Sequence, residues 1–387
     1  MVIVVRTCTV VLLFLFSVNC GKQKNSSSVN LPTDTLTTGN ADDTTRYIAL
    51  FYFPVFGDSM YTPKLLSPSG DAWIMKGQTP AYSPVGQFSF WGKPLFAATH
   101  GDGTIKNNYI YYFNGDPAQT NNALLDYHAD LITAAGVDLI VLDFTNGARD
   151  FPNGPSYVSA TTALCNRWQE RKRNNLPIPQ IAFFVQNTGT LSVVESLYFD
   201  KYDDDIFFKY SKKKLLLVAD ALGNGNNADA DQPAVPSNGK FANYTTRHCW
   251  GLDNSGKRWQ FKVNGNLPPQ AFYYNGKPEQ MCAPVATQAT YMTTDGENVM
   301  PDTKGRDNGN YFRKYMEAAG KVKPRFLFIH SWNEWAAGNW GESQQKPAFV
   351  DLWLTEYSAD IEPMDGGHGD MYYQLMKDEI TKYRYIK

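Results

Sequence analysis

The chain has 387 residues and a net charge of -2, with 19% charged and 14% aromatic residues. That length can bury a large core, and the near-neutral charge gives nucleic-acid binding no electrostatic support. The low charged fraction excludes a coiled coil or a disordered chain, and 9 Trp, 23 Tyr and 23 Phe supply stacking surfaces as well as core.

In chain order, Arg6 precedes an apolar run at 10–18 that is too short to span a bilayer and ends at Ser17-Val18-Asn19-Cys20-Gly21. Residues 1–20 read as a secretory signal. The segment resembles a bacterial lipoprotein signal, which implies that Cys20 carries lipid and anchors the chain in the membrane. Its departures are Ser17, where Leu is usual, and Asn19, where Gly or Ala is usual. The expected location is the cell envelope, as an outer-membrane lipoprotein facing the periplasm or the cell surface; plain secretion is the alternative. Residues 21–45 are rich in Ser, Thr, Asn and Asp and suit a flexible tether. Cys165, Cys249 and Cys282 remain for the folded part, with no C-x-x-C spacing; a zinc site is not expected, and a Cys249–Cys282 disulfide stays open.

The folded domain, 46–387, opens with an apolar and aromatic run at 47–53 that reads as a buried strand. A long Pro-, Ser- and Gly-rich excursion follows at 57–87, of the kind that forms functional loops. A strand is expected at 109–113. Ala123, Leu124, Tyr127, Leu131 and Ile132 then carry helical spacing up to Gly136, a helix stop. The run 137–143 is another buried strand tipped by Asp143. A helix is expected at 157–173, a strand at 180–186 tipped by Gln186 and Asn187, a helix at 191–199, and a strand at 214–219 before Asp220. Segments 247–250 and 281–287 are fainter strands, separated by a polar insert that carries Trp259. A helix at 311–319 leads to the strand at 326–329, and an amphipathic helix at 371–385 closes the chain.

Strands and helices alternate, and polar residues collect after the strands. This is the grammar of a single-domain α/β fold, a (β/α)8 TIM-type barrel with long loops at its C-terminal face. A doubly wound open sheet is the competing architecture. No G-x-G-x-x-G follows a strand and no P-loop is present.

The chemistry is densest at the last strand, where residues 326–329 run into His330, Ser331, Trp332, Asn333, Glu334 and Trp335. Two indoles flanking a carboxylate can stack on sugar rings and exclude water around the acid. Glycoside hydrolysis needs two carboxyl groups. Asp143 and Glu334 fall at strand ends, and Glu342 and Glu362 follow in the same loops. Glu279, just before a strand, either sits at the opposite end or folds over. No G-x-S-x-G elbow is present. Other readings stay open: Asp143 as a helix cap, Asp220 as a loop holder, His330 bonding a backbone carbonyl, and Asp203-Asp204-Asp205 as a solvated turn.

The stretch 328–338 resembles the closing-strand motif of endo-α-mannosidase-like glycosidases and related glycan-processing proteins of bacterial polysaccharide loci, an apolar strand followed by N-E-W-x-E-G. Tyr52-Phe53-Pro54, Asp116-Pro117, Asp143 after a strand and Asp360-Ile361-Glu362-Pro363 are similar to that group's other landmarks. The resemblance implies a (β/α)8 barrel, a glycan substrate and no required cofactor or metal, with Glu334 acting as a base toward the substrate. One departure matters. The second working carboxylate of the family pattern falls at Ala337, so its role passes to Glu342, Glu362 or Glu279, or the mechanism differs.

The expectation is therefore a monomeric glycoside hydrolase acting on an oligo- or polysaccharide. Glu334 leads and Asp143 is its partner or a substrate holder. Tyr52, Trp250, Trp332 and Trp335 form the sugar platform, and Asn187, His330 and Asn333 bond hydroxyls. A non-catalytic surface glycan-binding barrel is the alternative, and a metal-dependent hydrolase is a third class.

Overall fold

The computed structural model describes residues 45–53, 93–94, 122–149, 157–227, 229, 231–251, 255–263, 268–286, 305–333, 359–365 and 368–386, all within the compact unit Asn40–Lys387. The strand expected at 109–113, the excursion at 57–87, the signal and the tether lie outside these residues.

Eight strands carry the fold: β1 (Tyr47–Tyr52), β2 (Leu139–Phe144), β3 (Gln180–Val185), β4 (Lys213–Val218), β5 (Thr245–His248), β6 (Ala271–Tyr274), β7 (Lys277–Pro284) and β8 (Phe326–His330). Five of them are near-continuous apolar runs, the composition of strands covered on both faces. In β2 and β8 every residue is buried.

The strands pair in parallel in the order β5-β4-β3-β2-β1-β8-β7, and β6 adds antiparallel at the β7 edge. The first strand thus lies between the second and the last, with Ala49 opposite both Leu139 and Phe328. A doubly wound sheet reverses direction beside its first strand and does not place the last strand there, so that competitor is excluded.

The sheet is a curled half-barrel, and its interior side chains meet from distant strands. Phe51 of β1 stacks on Phe261 at 5.4 Å, and Phe261 also meets Phe184 of β3 at 5.3 Å and His330 of β8 at 5.8 Å. A lower layer joins Tyr47, Phe208, Tyr210, Trp259 and Phe326. The insert around Trp259, expected to be polar, therefore enters the core. Trp259 is fully buried and bridges Cys249 in parallel, its N–H donating to the His248 carbonyl at 3.1 Å. On its other side the Gln280 side chain bonds the Gln260 backbone at 3.2 and 2.7 Å, side-chain bonds standing where a strand ladder would run. The eight-stranded ring expected from the sequence is thus described in part.

Helices cover the outside: α1 (Asn122–Ala134) after β1, α2 (Tyr157–Arg173) after β2, α3 (Thr188–Val194) after β3, α4 (Asn310–Val322) before β8 and α5 (Met371–Tyr385) at the end. The helix expected at 191–199 starts three residues earlier and passes into a π-helical turn at Glu195–Phe199. Gly136 ends α1 at φ +83, and a Cβ there would meet Ile380 of α5 at 3.3 Å, so the stop residue also lets the last helix approach. Arg384 of α5 bonds the Gly136 carbonyl at 2.6 Å and Asp138 at 2.7 Å, and Tyr383 bonds the Pro324 carbonyl at 3.0 Å. The C-terminal helix closes the layer, as its amphipathic pattern predicts.

Cys249 and Cys282 are not joined: both carry reduced, buried thiols. Among the described residues no helix is long and apolar enough to cross a membrane.

Candidate active site

The C-terminal ends of the parallel strands gather the polar residues, as the strand-end pattern anticipates. At the tip of β2, Asp143 is nearly buried and its Oδ1 accepts the Thr145 N–H at 2.8 Å. This local bond turns the chain away from the strand and holds the carboxylate in place. Asn187, after β3, caps α3: its Oδ1 accepts the N–H groups of Gly189 and Thr190 at 2.9 and 3.2 Å. Asp220, after β4, accepts from Gly223 and Gly225 at 2.7 Å each, which makes it the loop holder that the Gly-rich sequence allows. Trp250 follows β5 half-buried, edge-on to Phe261 at 5.9 Å. His330 ends β8, is buried, and packs against Phe51 at 4.6 Å.

Beyond His330 the tip is sewn to β1. The Trp332 N–H donates to the Phe51 carbonyl at 2.8 Å, and the Asn333 side chain accepts from the Phe53 N–H at 2.9 Å while donating to the Phe53 carbonyl at 3.3 Å. Asn333 is 2% exposed. It is committed to backbone and is not positioned to bond a substrate hydroxyl, as had been expected of it. Glu334, Trp335 and Glu342 lie outside the described residues.

Two residues expected in the sugar platform face elsewhere. Along β1 the side chains alternate. Phe51 enters the interior, so Tyr52 points outward, where its ring lies edge-on to His128 at 5.7 Å and Trp168 at 6.4 Å. Trp332 is fully buried against His128 at 5.4 Å and Tyr373 at 6.4 Å. Both are core between sheet and helices rather than walls of the mouth.

The two described candidates for a companion carboxylate also separate. Glu279 falls within β7, which starts earlier than the sequence suggests, one residue before the position opposite the start of β8. It is therefore at the N-terminal end of the sheet, away from the mouth. There Arg247 grips it with Nε at 2.6 Å and Nη2 at 2.5 Å, and the Trp259 indole N–H adds a third bond at 3.0 Å. Polar residues around an open cleft at that end include Arg46, Tyr210, Tyr274 and Lys277. Glu362 is at the correct end but wholly buried in the outer layer. Its Oε1 lies 2.9 Å from His128 Nε2, and the Tyr52 hydroxyl lies 2.7 Å from His128 Nδ1. Burial drives the Glu362 carboxyl well above the usual carboxylate range and holds His128 down at about 3, so the imidazole is neutral at neutral pH.

His128 escaped the sequence reading, although it stands four residues after Leu124 and four before Ile132, on the apolar stripe of α1. Lys262, also missed, is fully buried, and its ammonium charge opposes the upward push of burial on the Cys282 thiol. Among the described residues no group of three His, Cys, Asp or Glu side chains is arranged to hold a metal ion.

No family model and no curated protein matches this chain. Among solved structures it is similar to the GH99 endo-alpha-mannosidase from Bacteroides thetaiotaomicron, at 13% identity and a TM-score of 0.46, over 88% of this chain and 98% of that one. A second structure of that enzyme, in complex with bis-tris-propane, matches at 13% identity and a TM-score of 0.45, over 89% and 98% of the two chains.

Proposed function

We propose that the protein is a cofactor-independent glycoside hydrolase acting on an oligo- or polysaccharide, with its site at the C-terminal end of a (β/α)8 barrel in which residues around 259–261 form the sixth stave. One observation carries the reading. Asp143, Asn187, Trp250 and His330 stand at one end of a curled parallel sheet, and the last strand of that sheet leads straight into Asn333-Glu334-Trp335.

In this reading Glu334 is the principal carboxylate, acting as base or acid on the glycosidic bond. Asp143 is its partner or holds the substrate, and Glu342 is a further source of the second carboxyl group. Glu279 has no part in it, because its charge is spent on Arg247 at the other end of the sheet. Trp250 and Trp335 supply the stacking surface, and His330 and the amide of Asn187 reach hydroxyls. A carboxyl separation of about 5–5.5 Å would retain anomeric configuration and one of roughly 6.5–9.5 Å would invert it. The wider proposal has the domain monomeric and tethered through residues 21–45 to a lipid on Cys20 in the cell envelope, with secretion as the alternative.

A glycan-binding barrel without hydrolytic activity is the second reading. It is favoured by Ala337, which stands where the resembling family has its other working carboxylate. Release of reducing ends from a broad panel of glycans, measured beside binding to the same panel, separates the two. Hydrolysis supports the enzyme; binding with no release from any member supports the lectin-like alternative.

A further inference from the structure

We propose that Tyr52, His128 and Glu362 form one buried proton-holding chain in which Glu362 is a neutral carboxylic acid, and that this chain is the positioning element for the β8 tip. The positional half rests on the reading above, because that tip leads to Glu334.

The chain spans three separate pieces of sequence: the end of β1, the middle of α1 and the return segment at 359–362. All three side chains have no solvent exposure. The distances of 2.7 and 2.9 Å fix the partners on both nitrogens of His128. A neutral imidazole donates from one nitrogen and accepts at the other. With Glu362 protonated, its O–H donates to Nε2, and the Nδ1–H donates to the Tyr52 oxygen. The Tyr52 O–H is then directed away from the ring. Removing one proton reverses every donor: Tyr52 donates to Nδ1, Nε2–H donates to Glu362, and one negative charge is left on the carboxylate. The two arrangements differ by one proton and nothing else.

The surroundings favour the protonated form. The chain is packed by the rings of Trp168 from α2 and Trp332 after β8. Titratable groups near it among the described residues include Tyr127 on α1, Tyr373 on α5 behind Trp332, and the buried Asp360 two residues before Glu362. Arg306 meets the segment one step away, with Nη2 on the Asp360 carbonyl at 2.8 Å and its guanidinium over Tyr372. An anion in such a layer is costly to desolvate, whereas a neutral acid that donates a hydrogen bond is not.

The link to the tip is through backbone. The Glu362 N–H donates to the Trp332 carbonyl at 3.0 Å, the Ile361 N–H to the Ser331 carbonyl at 3.1 Å, and the Ser331 N–H to the Ala359 carbonyl at 3.0 Å. Segment 359–362 is thereby strapped to 331–332, and the Trp332 indole closes the other side of His128. Moving Glu362 moves Trp332, two residues before Glu334.

Two readouts test this without any substrate, so failure of the hydrolase reading is distinguishable from failure of this one. In isotope-edited infrared spectra at neutral pH, the wild type should show a protonated carboxyl carbonyl stretch that is lost in Glu362→Gln, and nitrogen NMR should show neutral His128 protonated on Nδ1. An ionised Glu362, or a proton on Nε2, would overturn the proton assignment. By hydrogen exchange, Glu362→Ala should speed exchange of the Ser331 and Trp332 amides about 10-fold or more, and Glu362→Gln should return it to within about 3-fold of wild type. Unchanged exchange in Glu362→Ala would overturn the positioning role. So would hydrolysis abolished in Glu362→Gln with exchange at those amides intact, since that pattern belongs to a reacting group.

Discussion

Asn333 and Phe53 are 280 residues apart in sequence and joined by two hydrogen bonds, the side-chain amide of one closing on both backbone groups of the other. This clasp fastens the tip of the last strand to the tip of the first. Replacing Asn333 with Ala leaves a buried N–H and a buried carbonyl to find other partners. At about 1–3 kcal/mol for each buried group left unsatisfied, the loss should be roughly 2–6 kcal/mol. Asn333→Asp should not rescue it, because an ionised carboxylate would be buried there with one oxygen set against the Phe53 carbonyl. Denaturant unfolding of the two variants beside wild type measures the loss, and stability equal to wild type would show the clasp to be idle.

The Arg247–Glu279 pair gives a second test. Both side chains are about 5% exposed or less, and removing one partner of a buried pair typically costs about 3–5 kcal/mol because the other charge is stranded. Arg247→Met should therefore destabilise by that amount, and the double variant Arg247→Met/Glu279→Met should recover most of it. A Glu279 that worked in catalysis would instead show its main effect on hydrolysis with little coupling to Arg247. The double-mutant cycle in unfolding free energy decides.

Much of the fold could be read along the chain, and the exceptions have physical causes. β1, β2, β3, β4 and β8 were legible because strands covered on both faces are continuous apolar runs. The start of β7 was not, because Lys277-Pro278-Glu279-Gln280 looks like a loop until Arg247 arrives to neutralise Glu279. The β6–β7 hairpin did carry a signal that went unread: Asn275-Gly276, both residues with positive φ, in the manner of a type I′ turn between strands. The segment Arg258-Trp259-Gln260 reads as polar, yet Trp259 turns inward and Gln260 spends its backbone on Gln280. At the site, strand ends could be placed but side-chain facing could not. Tyr52 and Trp332 looked like platform residues, and a one-residue alternation put both under the helices. The burial of Glu362 depends on the return of 359–362 onto 331–332, which no local pattern encodes.

Phe261 is the side chain on which the curl of the sheet converges, touching Phe51, Phe184, His330 and Trp250. Phe261→Ala should cost about 3–5 kcal/mol, the usual range for deleting a buried aromatic ring. Phe261→Leu should cost less, by filling part of the space. A cost below about 1 kcal/mol for the alanine variant would mean that the opposite strands do not pack across a common interior.

Stability should respond to pH through the outer-layer pair. Burial raises the folded Glu362 carboxyl above its value in the unfolded chain, so between those two values folding takes up a proton. Its stabilising contribution is complete below the ordinary carboxyl value of 4.5 and declines as pH rises toward the raised folded value. Through that window, wild type should lose up to about 1.4 kcal/mol per pH unit relative to Glu362→Gln. His128 has the opposite sign. Held at about 3 against an ordinary 6.5, it favours the fold above 6.5 and withdraws that support as pH falls. Unfolding curves of wild type, Glu362→Gln and His128→Gln from about pH 3 to 8 measure both slopes, and parallel curves would contradict them.

The central claim turns on Glu334. Wild type and Glu334→Gln should be compared for reducing-end release and for binding on one glycan panel. The account predicts that the variant loses hydrolysis by at least about 1000-fold while its affinity stays near that of wild type, the signature of a group that acts in the transition state. A Glu334→Gln variant that hydrolyses at the wild-type rate would contradict it.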